Sequence, residues 1–161
     1  MSVVKIGIEG VVETIVERNG EIVYYDVSKN TWTQDGVREV VKFLTGQSAV
    51  RPLYIALGTD GTAEDPSQTA LLAELDYTTY TKEGGRVSAT ITTDTTDFAN
   101  DTAVLTGTFT FKGTPPTIKE RGLFSASSGG VMFARKTMNF TPQDGDKLTI
   151  SWRLRPVIIT E

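Results

Sequence analysis

The residues best suited to bind a metal ion form an acidic cluster in the middle of the chain, Asp60, Glu64 and Asp65. Carboxylate oxygens are the ligands that Ca²⁺ prefers. The cluster lacks the regular alternation and the final bidentate Glu of an EF-hand loop, and turn and helix-capping roles account for the same residues. The same interpretation covers two smaller acidic groups: Asp94, Asp97 and Asp101, and Asp144 with Asp146. We therefore predict no metal site and no cofactor.

Glu120 is the one carboxylate that we would test as a catalytic acid, in a glycosidase mechanism that needs two carboxylates about 5 or 6.5–9.5 Å apart. No nearby residue is an evident second carboxylate. The neighbouring Lys119 and Arg121 instead favour Glu120 as a surface residue in an ion pair. The chain has no GxSxG elbow, phosphate loop or dinucleotide fingerprint. It also has no His, the commonest general base, and no Cys. The sequence therefore predicts a protein that is not an enzyme.

Aromatic side chains could stack on sugars or bases. The candidates lie in the first half of the chain: Tyr24, Tyr25, Trp32, Tyr54, Tyr77 and Tyr80. Their dispersal favours contacts in the core and between subunits. A carbohydrate-binding module that uses these residues remains a distant alternative.

The overall composition is that of one globular domain spanning residues 1–161, with 39% hydrophobic and 22% charged residues. The net charge of −4 argues against a general nucleic-acid binder, which needs a basic face. No apolar run approaches the roughly 20 residues needed to span a bilayer. Glu9 interrupts the N-terminal apolar segment too early for a secretory signal. We expect neither a nucleic-acid nor a membrane partner.

The elements that hold these residues are predicted to be mostly strands. Asn19-Gly20 separates two strand-like segments and is a strong signal for a hairpin. Segment 103–111 alternates apolar residues with threonines, and segment 148–154 alternates Leu, Ile and Trp with polar residues. About eight such segments at spacings of roughly ten residues are typical of a sandwich. We predict a mainly β, jelly-roll-like antiparallel β-sandwich.

Two helices are expected beside the sheets. The first begins near Thr33 and ends before Gly46, and its apolar stripe for packing on a sheet comprises Val37, Val40, Val41 and Leu44. The second is short and begins at Pro66 after the N-cap Asp65. Its apolar face is Ala70, Leu71, Leu72 and Leu75.

Three local features complete the expected fold. Residues 77–81 are predicted to form a strand, and Phe98 is predicted to point inward from a polar loop. Residues 1–9 are expected to form an edge strand or an extended arm. The terminal segment Val157–Ile159 is apolar, so we expect it to dock on another surface.

Several blocks in a fixed order carry a resemblance to a known group of proteins. They are NTWTQDGVREVVKFLTG (Asn30–Gly46), YIALGTDGTAEDPSQTALLAEL (Tyr54–Leu75), TGTFTF (Thr106–Phe111), IKERGLFSASSGGVMFARKTM (Ile118–Met138) and DKLTISWRL (Asp146–Leu154). Together they resemble small virion structural proteins of tailed bacteriophages, the head-decoration and tail-fibre-like group. The resemblance extends from Asn30 onward.

The resemblance implies a structural protein of the virion, assembled in the host cytoplasm, whose partners are the major capsid protein or tail proteins. It implies a symmetric homo-oligomer, of which a trimer is one form. A capsid decoration or cement protein is the first hypothesis, and a fibre, baseplate or neck protein of the tail is its alternative. The candidate interface residues are Leu123, Phe124, Val157, Ile158, Ile159 and Tyr24.

Overall fold

The computed structural model describes residues 4–160, with the backbone alone for residues 4, 6, 159 and 160. The strands, in chain order, are β1 (Val4–Arg18), β2 (Glu21–Lys29), β3 (Thr31–Trp32), β4 (Tyr54–Gly58), β5 (Val87–Ser88), β6 (Thr90–Asp94), β7 (Thr102–Thr110), β8 (Ile118–Phe124), β9 (Met132–Phe140) and β10 (Lys147–Thr160). The helices are α1 (Gln34–Leu44) and α2 (Tyr77–Tyr80).

The strands form two antiparallel sheets of five strands each. Sheet I has the order β2-β1-β10-β7-β6, and sheet II has the order β3-β9-β8-β4-β5. The predicted mainly β, antiparallel sandwich with two helices is therefore confirmed. Both sheets contribute side chains to one core, including Val12, Leu105, Phe109, Leu148, Ile150 and Trp152 from sheet I and Ile55, Leu57, Leu123, Ala134 and Met138 from sheet II.

The β1–β2 hairpin forms where the sequence predicts it. Asn19 and Gly20 both adopt positive φ angles, 51° and 81°, as a two-residue type I′ turn requires. The β1–β2 ladder then shifts register at Val16/Glu17, because Val16 faces Tyr24 whereas Glu17 faces Ile22. The hairpin thus carries a β-bulge close to its turn, which increases the local twist.

The two ends of the described chain pair with each other. The first part of β1 continues antiparallel to the last part of β10, in the register Val4↔Thr160 through Gly10↔Leu154. Of the predicted edge strand or extended arm over residues 1–9, residues 4–9 are the beginning of β1, and residues 1–3 lie outside the described residues. The apolar C-terminal segment pairs with this part of β1. Pairing of β10 with β7 ends at Leu154, just before Pro156, but pairing with β1 continues beyond that proline.

Residues 87–94 are divided between the two sheets. Val87 and Ser88 pair with β4 in sheet II, whereas Thr90 and the residues after it pair with β7 in sheet I. Ala89, between them, is the corner at which the chain passes from one sheet to the other.

The predicted packing face of α1 is wrong. Val37, Val41 and Leu44 are exposed, Leu44 by 75%, whereas Gly36 and Glu39 are buried. The reason is a close approach of the helix to β9: a Cβ atom at Gly36 would lie only 2.9 Å from the Cα and the carbonyl oxygen of Phe133. Because α1 contacts β9 through Gly36, most of its apolar stripe faces solvent.

The second predicted helix is also misplaced. Residues 65–75 form turns and irregular structure, and the short helix is α2, in the segment predicted to be a strand. Asp76 caps it by accepting a hydrogen bond from the Thr79 backbone N–H at 3.2 Å. Residues 65–75 instead cover the outer face of sheet II, where Leu71 packs in a second cluster with Ala56, Phe124 and Met132.

Phe98 does not point inward. Its side chain is 62% exposed, so the prediction for it is wrong. The loop around it is stabilised by polar contacts instead, since Asp101 accepts hydrogen bonds from the backbone N–H groups of Thr96, Asp97 and Phe98.

Candidate interaction surfaces

Glu120 is a buried structural carboxylate rather than the paired surface residue that the sequence predicts. It lies on β8, and its Oε1 accepts a hydrogen bond from the Ala73 N–H at 2.8 Å. Its Oε2 accepts from Arg135 Nε at 2.8 Å and from the Leu72 N–H at 3.1 Å. With a side chain that is completely buried, Glu120 is not placed to protonate a substrate. It fixes the segment that covers sheet II.

Arg121, the next residue, points to the other side of β8 and is also completely buried. It donates hydrogen bonds to the side chains of Thr14 on β1 and of Asp26 and Ser28 on β2. The ion pair between Arg121 and Asp26 therefore connects strand β2 to sheet II across the core. The sequence contains one signal for this position, because Arg121 lies two residues from the core residue Leu123 and so shares its face.

The central acidic cluster serves local structure. Asp60 accepts from the Thr62 N–H and Asp65 from the Ser67 N–H, both at 2.8 Å. The Thr62 and Ser67 hydroxyl groups, followed by these backbone N–H groups, lower the pKa of the two carboxyl groups. Glu64 accepts from the Thr137 N–H, also at 2.8 Å. Across residues 4–160, no group of three or more His, Cys, Asp and Glu side chains could hold a metal ion.

The aromatic residues do not form a common platform for stacking on a sugar. Tyr77 is buried and stacks on Phe109 at 5.9 Å between ring centroids. Its burial raises the pKa of its phenol, whose oxygen bonds both backbone groups of Leu57. Tyr54 packs on the second cluster, and Tyr80 and Trp32 pack on the main core. Tyr25 alone among these six is exposed by more than half.

The six candidate interface residues separate into core and surface. Leu123 and Phe124 are buried within the chain, so both are core residues and neither is available to a partner. The guanidinium of Arg86 lies over the Phe124 ring at 3.7 Å and covers it. Tyr24 is half-buried against Phe140. The side chain of Ile159 lies outside the described residues.

The other two candidates, Val157 and Ile158, border a surface groove. Val157 is half-buried and Ile158 is 66% exposed. The groove has a volume of about 450 Å³, and its apolar lining includes Phe98, Ala103, Leu154, Val157 and Ile158. This part of the C-terminal strand remains a candidate contact, as the sequence predicts.

A group of exposed apolar residues on α1 and in the segment after it is not predicted as a surface by the sequence. We call it the helix patch, and it comprises Val37, Val41, Phe43, Leu44 and Val50. Phe43 and Leu44 are both 75% exposed. A groove of about 380 Å³ runs beside it and is lined mainly by Trp32, Val40, Phe43, Val50, Pro52 and Phe133. The sequence pattern identifies Val37, Val41 and Leu44 but assigns them to the face that packs on a sheet, and it singles out neither Phe43 nor Val50.

The helix patch is firmly supported. Thr33 caps α1 by accepting a hydrogen bond from the Gly36 N–H at 3.0 Å. Glu39 is buried behind the patch, where Oε1 binds Lys42 at 2.6 Å and Oε2 accepts from the Val50 N–H at 2.8 Å. The Lys42 and Val50 contacts lower the pKa of Glu39 and keep its carboxylate charged. These contacts fix the segment after α1 against the helix.

A second exposed apolar surface lies along β2. Ile22, Val23, Tyr25 and Val27 are all exposed on this strand, which forms one edge of sheet I. Neither helix of the described chain is long and apolar enough to cross a membrane.

Comparison with protein-family models, curated proteins and solved structures gives no match to this chain.

Proposed function

We propose that this protein is a non-enzymatic structural component of a tailed-bacteriophage virion, a capsid decoration or cement protein that binds the particle as an oligomer. Two kinds of observation support the proposal. The ordered sequence blocks from Asn30 to Leu154 resemble virion proteins of this type. The exposed helix patch is the observation from the fold that carries the argument, because it is an apolar contact surface on a rigid support.

The helix patch is suited to docking rather than to catalysis. Its side chains are aliphatic or aromatic, and burial of each against a partner would contribute about 2 kcal/mol. Apolar residues scattered singly over a surface need no explanation, but several on one face mark an interaction site. Here Val37, Val41 and Leu44 lie on one face of α1, and Phe43 lies on the neighbouring side, along the groove that Val40 and Phe133 line.

The fold presents the patch without the entropic cost of ordering a loop. Gly36 contacts the Phe133 backbone closely, and Glu39 fixes the chain at Val50. A pre-organised surface binds with less loss of conformational entropy than a flexible one. This suits a protein that adds to an already assembled lattice of capsid subunits.

Immunogold labelling tests the location on particles of the bacteriophage that encodes this chain. Label over the whole head, with hundreds of copies per particle by quantitative mass spectrometry, would support a decoration protein. Label at one pole with few copies would establish the tail alternative instead. Purified particles that contain none of the protein would refute a virion role altogether.

A pair of variants tests the helix patch. Replacing Phe43 and Leu44 together by Ala should weaken binding to particles that lack the protein by at least tenfold, since two largely exposed anchors are lost. Arg38→Ala on the same helix is the matched control, because Arg38 is exposed and pairs only with Asp35, three residues earlier. Circular dichroism should show both variants folded. Equal binding by all three proteins would exclude the patch as the contact.

A further inference from the structure

Strand β2 is an unprotected sheet edge. It is nine residues long and, within residues 4–160, pairs with β1 alone, so its second side offers unpaired backbone N–H and C=O groups. Such an edge is a template for pairing with another strand unless Pro, Lys or a covering segment blocks it. β2 contains no Pro, and its one Lys is the last residue, Lys29. Ile22 and Tyr25 are each 60% exposed along it.

The sequence of β2, EIVYYDVSK, is self-complementary in an antiparallel arrangement centred on Tyr25. In that register Tyr25 faces Tyr25 of the second copy, and Val23 faces Val27. Because the bulge at Val23 adds one residue, Glu21 lies between Ser28 and Lys29 of the second copy, so opposite charges meet near both ends. Apolar and opposite-charge cross-strand pairs each stabilise a sheet, whereas like charges destabilise it. A parallel arrangement in register would instead place Glu21 on Glu21 and Lys29 on Lys29.

The middle of β2 is held in place for such pairing from inside the sandwich. Asp26 and Ser28 both accept hydrogen bonds from the buried Arg121. Tyr24 packs its ring on Phe140, with 5.0 Å between centroids. The one irregularity is the bulge at Val23, and the two-fold axis would place its two copies at equal distances on either side of the centre. The segment from Tyr24 to Asp26 stays regular around the axis.

We propose that β2 pairs antiparallel with β2 of a second copy of this chain, about a two-fold axis at Tyr25, to join the two copies of sheet I into one ten-stranded sheet. The strand would gain about eight main-chain hydrogen bonds. A two-fold contact of this kind uses the same surface on both copies and closes on itself. The proposal does not depend on a virion role, since it uses β2 and not the helix patch.

Disulfide trapping tests the register directly, because the chain contains no Cys. The Cβ atoms of two facing Tyr25 residues would lie about 4.5–5.5 Å apart, close to the span of a disulfide. Tyr25→Cys should therefore form a covalent dimer under mild oxidation. Val23→Cys alone should not, because its two copies would be about 13 Å apart along the strands. Mixing Val23→Cys with Val27→Cys should give a cross-link between the two variants.

Sedimentation of the unmodified chain provides the second readout. The unmodified chain should sediment as a dimer at micromolar concentration. Tyr25→Lys, which places two like charges at the axis, should raise the dimer Kd by more than about tenfold. Phe43→Lys is the control, since it puts the same charge on another exposed aromatic residue, outside β2, and should leave dimerisation unchanged.

Three results would overturn the proposal. One is a chain that sediments as a monomer at all accessible concentrations. Another is self-cross-linking by Val23→Cys or Val27→Cys, which would mean a different register or a parallel pairing. The third is a dimer that Phe43→Lys disrupts and Tyr25→Lys does not, which would place the contact at the helix patch.

Discussion

Glu120 on β8 and Arg135 on β9 form an ion pair in which neither side chain is more than 1% exposed, with 2.8 Å between Oε2 and Nε. The remaining polar atoms of both groups also have partners. Glu120 accepts from the backbone N–H groups of Leu72 and Ala73, and Arg135 donates to the carbonyl oxygen of Thr62 at 2.8 Å. The pair thus connects sheet II to the irregular segment that covers it.

Removing one member of this pair should be strongly destabilising. Glu120→Ala leaves the Arg135 charge buried without a counter-ion and leaves two backbone N–H groups without an acceptor, at an expected cost of about 3–5 kcal/mol. Unfolding in urea measures this loss as a decrease in the free energy of unfolding. Lys119→Ala, at the exposed neighbouring position, should change stability by less than about 0.5 kcal/mol. Equal effects of the two substitutions would show that the buried pair does not hold the segment.

Gly36→Ala should destabilise the protein, although Gly to Ala inside a helix normally stabilises it by about 1 kcal/mol. The sign changes because the new Cβ would lie 2.9 Å from the Phe133 backbone, which cannot rotate away. We expect a loss of about 1–3 kcal/mol, as for other overpacked sites. Gly85→Ala is the control, since a Cβ there has no neighbour within 4 Å, and it should be neutral or slightly stabilising. Thermal unfolding compares the two, and a raised Tm for Gly36→Ala would contradict the close approach.

The strands could be predicted because their signals are local. Alternation from Leu148 to Leu154 identifies which side chains face the core. The Asn19-Gly20 pair strongly favours a tight turn, because both residues tolerate the positive φ that the turn requires. The face of α1 could not be predicted in the same way. Periodicity shows that Val37, Val41 and Leu44 share a side, but not whether this chain or a partner covers it.

The sites that sequence reasoning missed depend on contacts between distant residues. Arg121 is buried beside Asp26, which lies 95 positions earlier in the chain. Likewise, the segment after Pro66 has helical character by composition, but Glu120 and Leu71 hold it in an irregular path over sheet II. Local propensity is a weak prior that such tertiary contacts override.

Stability should fall in acid through Glu64, among other groups. Burial raises the pKa of this carboxyl group, but the Thr137 N–H and the Lys136 ammonium lower it by more, to about 2 from an ordinary 4.5. A carboxyl group whose folded pKa is lowered stabilises the fold above its unfolded pKa and loses that contribution as the pH falls. Glu64→Gln should therefore be less stable at pH 7, by at most about 3 kcal/mol. The difference should shrink between about pH 4.5 and 2 in urea titrations, and a constant difference across that window would contradict the shift.

Asp26→Ala should cost more stability than Arg121→Met, although both break the same ion pair. Asp26→Ala leaves the fully buried Arg121 charge without its counter-ion, whereas Met fills the same space between the sheets without a charge. The double variant should then recover part of the loss, with a coupling energy of about 0.5–3 kcal/mol in a double-mutant cycle. Because Arg121 anchors β2, amide hydrogen exchange should quicken along β2 in either single variant and stay slow in the middle of β10, whose pairs with β1 and β7 are intact. Additive effects with unchanged exchange in β2 would mean that Arg121 fills the core without positioning the strand.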